Sequence, residues 1–63
     1  MNNNNDIISI RIYEISIVLA QVQEKLKLSD NAKQRITLLL DATTLQSQLL
    51  LYRNILQRRQ QQQ

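Results

Sequence analysis

An all-α fold, two long helices packed side by side as an antiparallel hairpin, is what this 63-residue chain predicts. Three observations carry the prediction. Apolar residues recur at Ile8, Ile12, Ile15, Leu19, Val22 and Leu26, and again at Leu38, Ala42, Leu45, Leu49, Tyr52 and Leu56. Both series step by four, three, four, three, four, which keeps one stripe of a helix turned toward a neighbouring helix, as knobs-into-holes packing demands. Between the stripes lies Lys27-Leu28-Ser29-Asp30-Asn31, whose short polar side chains bond backbone N–H groups and favour turns and helix starts. The chain also contains no Gly and no Pro. In a helix interior these cost about 1 and about 3 kcal/mol relative to Ala, so only the polar turn interrupts the two segments.

Taken in order, residues 1–5 are expected to form a disordered polar tract, because Asn2 to Asn5 have nothing to bury. Helix 1 is expected from Asp6, an N-cap residue suited to the positive end of the helix dipole, to about Leu28. The stretch Ile8-Ser9-Ile10-Arg11-Ile12 alternates with period two and is rich in β-branched residues, which is a strand signature. Helix is favoured because the alternation slips phase at Ile12-Tyr13, whereas the helical stripe runs on to Leu26, beyond the roughly ten residues of an ordinary strand. The turn is expected over residues 28–31. Helix 2 is expected over residues 31–59, capped by Ser29 or Asp30, with Arg58 and Arg59 at its negative end. Residues 60–63 read as a polar Gln tail. At a rise of 1.5 Å per residue these bounds give helices of roughly 33 and 42 Å, so helix 2 should overhang its partner and carry Leu51, Ile55 and Leu56 beyond it.

Composition narrows what such a hairpin does. With no Cys and no His there are no disulfides, no thiolate sites and no alternative zinc ligands. The serines lack an imidazole base, and Asp6, Glu14, Glu24, Asp30 and Asp41 are spread singly, so neither an activated nucleophile nor a carboxylate pair is on offer. Without Gly no phosphate loop is expected. The chain is therefore read as a non-enzyme with no cofactor and no metal. Arg11, Glu14, Glu24 and Asp41 interrupt every apolar run before it reaches a membrane-spanning length. The Asn tract after Met1 does not look like a signal peptide, so an intracellular, cytoplasmic location is expected.

The formal net charge of +3 gathers around the turn and at the far end. Lys25, Lys27, Lys33 and Arg35 are the candidate phosphate contacts of an alternative reading, a basic hairpin that binds RNA or DNA. Glu24 and Asp30 dilute that cluster, and both tyrosines fall in apolar stretches.

The leading reading rests on surplus apolar surface. Ile10 and Ile17 fall opposite the stripe of helix 1, while Leu39, Leu50, Leu51 and Ile55 widen the apolar surface of helix 2. A lone hairpin covers one side of each helix, and burial contributes about 25 cal/mol per Å2, so leaving these side chains wet forfeits stability that a small domain lacks. These six residues form the candidate partner interface. The expectation is a coiled-coil-like scaffold subunit for complex assembly. It would complete a four-helix bundle as a dimer with itself or dock into a complex of other helical proteins.

Overall fold

The computed structural model describes residues 3–61, with side chains described for residues 7–59. It consists of two helices, α1 (Asn3–Leu28) and α2 (Ala32–Gln61), and among the described residues there is no strand. The helices pack against each other as a hairpin 48 × 15 × 12 Å in extent. The period-two stretch around Ile10 is helical, because the four-three stripe supplies a continuous packing partner and the strand pattern has none.

The stripes form the interface. Ile8, Ile15, Leu38, Ala42 and Leu49 are buried, and Ile12, Leu19, Val22, Leu26, Leu45, Tyr52 and Leu56 are half-buried. Among the described residues no side chain is fully enclosed, since two helices shield each other from one direction only.

The outer ends of both helices differ from expectation. α1 starts at Asn3, so Asp6 lies inside its first turns and is not the cap; no Gly or Pro stands ahead of it to stop the helix, and Asn costs only about 0.7 kcal/mol per helical residue. The expected disordered tract is thereby helical over Asn3–Asn5, while Met1 and Asn2 lie outside the described residues. At the other end α2 continues through Gln61, and Gln62 and Gln63 lie outside the described residues. Since α1 and α2 have 26 and 30 residues, they measure about 39 and about 45 Å and run nearly level. Helix 2 does not leave Ile55 and Leu56 beyond α1, and both are half-buried. Leu51 is exposed because of the side of α2 on which it stands.

The turn replaces glycine with side chains. A helix commonly ends on a left-handed Gly, yet here no described residue has positive φ. Arg35 takes over that work. Its Nη1 donates to the Leu26 carbonyl at 2.9 Å and to the Ser29 carbonyl at 3.2 Å, satisfying oxygens that the end of α1 leaves open. The Leu26 carbonyl also accepts the Ser29 amide at 3.4 Å. The cap of α2 is Asn31, not Ser29 or Asp30: its Oδ1 accepts the Gln34 amide at 3.1 Å and its carbonyl accepts the Arg35 amide at 2.9 Å. Ser29 instead donates to the Gln34 side chain at 3.0 Å. Replacing Asn31 by Ala should therefore lower stability by about 1 kcal/mol, while Asp30→Ala should leave the chemical-denaturation midpoint nearly unchanged.

Candidate helix-docking surface

Eleven large apolar side chains are exposed among the described residues, against four that are buried besides Ala42. That inversion is the main surface feature of the hairpin. Monomeric soluble proteins rarely leave large contiguous apolar patches wet, and helices that are apolar all round are normally covered on more than one side.

The six candidate interface residues do not form one patch. Ile10 and Ile17, 56% and 42% exposed, stand on the outer side of α1, away from α2. Leu39 and Leu50 are eleven residues apart, three helical turns, and so share one flank of α2. Leu51 and Ile55 lie one turn apart on the opposite flank, where Leu51 is exposed and Ile55 half-buried. Exposed apolar side chains outside both the stripes and the six candidates are Ile7, Tyr13, Val18, Leu28, Ile36 and Leu40. The eleven-residue spacing from Ile7 to Val18 was a legible signal that these two share a flank of α1.

Two shallow grooves mark the flanks. One, of about 270 Å3, is lined by Val18, Val22, Asp41, Thr44, Leu45 and Gln48. Leu51 lies seven residues beyond Thr44, and Ile7 eleven before Val18, so both join this flank. The other groove, of about 340 Å3, is lined by Leu50, Arg53, Asn54, Leu56 and Gln57. Arg35 precedes Arg53 by eighteen residues, five full turns, and so shares that flank, as does Leu39. Both grooves are thus lined mostly by apolar surface, and they differ in charge: the first flank carries both signs, and the second is bordered by Arg35 and Arg53.

Local hydrogen bonding matters for what these flanks can bury. The Thr44 hydroxyl donates to the Leu40 carbonyl at 3.0 Å, and Thr43 donates to the Leu39 carbonyl at 2.9 Å. Hydroxyls satisfied within their own helix enter an interface without leaving a donor unpaired. Arg11 donates to Glu14 at 3.2 Å, and the two charges of this exposed pair cancel. Tyr52, close by on α2, and then Glu14 raise the pKa of the Arg11 guanidinium above its ordinary value, so it keeps its charge at every accessible pH.

The basic cluster is less free than its sequence suggests. Lys25, Lys27 and Lys33 are exposed around the turn, but Arg35 is engaged with the turn's own carbonyls. Tyr13 is 69% exposed, contrary to its expected place in an apolar stretch, because it falls on the outer side of α1. It stands twelve residues from Lys25, about 18 Å along the helix, so Tyr13 does not share a surface with the basic cluster at the turn.

Among the described residues no group of three or more His, Cys, Asp or Glu side chains could hold a metal ion, and no helix is long and apolar enough to cross a membrane. No family model, curated protein or solved structure matches the chain.

Proposed function

We propose that the protein is a non-catalytic helical assembly subunit that works by docking its uncovered apolar surface against further helices, those of its own copies first. One observation carries this reading. The chain exposes 5210 Å2 at a mass of 7.4 kDa. A compact monomer of that mass exposes about 4200 Å2, so the hairpin carries about 1000 Å2 too much. A standard protein interface removes about 800 Å2 from each partner, which is close to the surplus. An elongated pair of helices has this excess because each helix is covered from one direction, and two further helices would supply the missing cover.

The test is the molar mass of the purified chain by light scattering across about a hundredfold range of concentration, read beside its helical circular dichroism. A dimer or tetramer that gains helicity and thermal stability with concentration is expected. A monomer that is fully helical and unfolds cooperatively at every concentration would overturn the reading, since it would need no cover.

A further inference from the structure

We propose that the occupant of the uncovered surface is a second copy of this chain, and that it docks on the flank carrying Ile7, Val18, Leu51 and Ile55, leaving the Leu39–Leu50 flank in water. This deepens the assembly reading above and rests on it. Three features select the flank.

The first is apolar content contributed by both helices. Ile7 and Val18 of α1 are 56% and 44% exposed, and Leu51 of α2 is 60% exposed. Together with half-buried Ile55 they bracket the groove that Val18, Thr44 and Gln48 line. On the other flank both exposed leucines belong to α2, and α1 contributes Ser9, Ser16, Ala20, Gln23 and Lys27. A contact of about 800 Å2 per copy is wider than one helix stripe, and the first flank is the one that offers large aliphatic side chains from both helices.

The second is charge. A twofold interface places the same surface on both copies, so a face of one sign repels itself. The Val18 flank carries Arg11, Lys25 and, five full turns before Leu51, Lys33 against Glu14 and Asp41, together with Arg59 near its end. Its charge is mixed, and Arg11 and Glu14 already pair within the chain. The Leu50 flank carries Lys27, Arg35 and Arg53 with Glu24 at its outer edge, so a twofold contact there would set mostly like charges against each other.

The third is the state of the polar groups to be covered. The Thr44 hydroxyl sits in the middle of the groove and is satisfied by the Leu40 carbonyl, so covering it orphans nothing. Gln48 lies at the same groove and keeps a side-chain amide able to bond across the twofold.

The experiment is sedimentation equilibrium of the full chain at 1 to 100 µM, roughly the range over which small helical dimers dissociate, comparing wild type with two double substitutions. Val18→Glu with Leu51→Glu should weaken the dimer at least tenfold, whereas Leu39→Glu with Leu50→Glu should leave its dissociation constant within about threefold. The opposite ranking would overturn the choice of flank while leaving the assembly reading intact. A wild type that stays a cooperatively folded monomer would overturn both. Should Val18→Glu with Leu51→Glu lose its helicity, single cysteines decide, because the chain has no other thiol. Gln48→Cys should then cross-link between copies with a short bismaleimide and Gln46→Cys should not, and equal or reversed yields would overturn the flank.

Discussion

Replacing Leu49 by Ala should leave the hairpin largely unfolded at low concentration. Leu49 is one of the five buried apolar residues, with 7% of its surface exposed, and it lies in the middle of the α2 stripe. Truncating a buried Leu to Ala costs about 2 to 5 kcal/mol, because the lost transfer free energy is compounded by the cavity left behind. A two-helix seam has few neighbours able to collapse into that space. Small domains commonly hold about 5 kcal/mol or less, so one such substitution removes most of the margin. Urea denaturation followed by circular dichroism should show the midpoint falling sharply for Leu49→Ala and similarly for Ile15→Ala, the other buried residue near the centre. Leu50→Ala, one position away and 63% exposed, should change it by less than about 0.5 kcal/mol where no partner is bound. If Leu49→Ala and Leu50→Ala behave alike, the stripe is not the core.

That contrast between adjacent leucines shows where the sequence speaks and where it falls silent. The four-three steps locate the core because packing against one neighbour imposes a period, and every stripe residue is buried or half-buried. The helix start was less legible. Asp6 has the chemistry of a cap, but a cap is needed only where a helix must stop, and nothing in Asn3–Asn5 forces one to. The turn likewise depended on a long-range partner. Arg35 read as a free cation in a basic cluster, and its role at the Leu26 and Ser29 carbonyls appears only when the turn brings α2 back beside the end of α1.

The docking surface was half legible. Excess apolar residues are visible in the sequence as residues outside the stripes, but their sorting onto flanks requires the hand of the helices and the packing direction. Leu50 and Leu51 are neighbours in the chain and stand on opposite flanks, since one residue is about 100° of helix rotation. A list of exposed apolar residues is therefore not an interface until rotation assigns each to a side. The same rotation makes Thr44 and Gln48, which look like interruptions in the sequence, part of the groove beside Val18.

Ala42→Leu should destabilise the hairpin by about 1 to 3 kcal/mol, although it adds apolar volume at a buried position. Ala42 is 8% exposed and is the one small residue in a stripe otherwise built of Leu, Ile, Val and Tyr. A methyl side chain there lets the helices approach closely, and three extra carbons push them apart or force strained rotamers. Asp41 and Leu45, on either side of this position, line a groove with Val18 and Val22 of α1, and Val22 is the one of these two that belongs to the α1 stripe. Val22→Ala alone should cost stability by opening a cavity. The double substitution Ala42→Leu with Val22→Ala should then be more stable than the sum of the single effects by about 1 kcal/mol, because the larger residue on α2 fills the space vacated on α1. Chemical denaturation of the wild type, both single variants and the double variant measures that coupling. Strict additivity would mean that Val22 does not meet position 42, since residues that do not meet across the interface do not compensate.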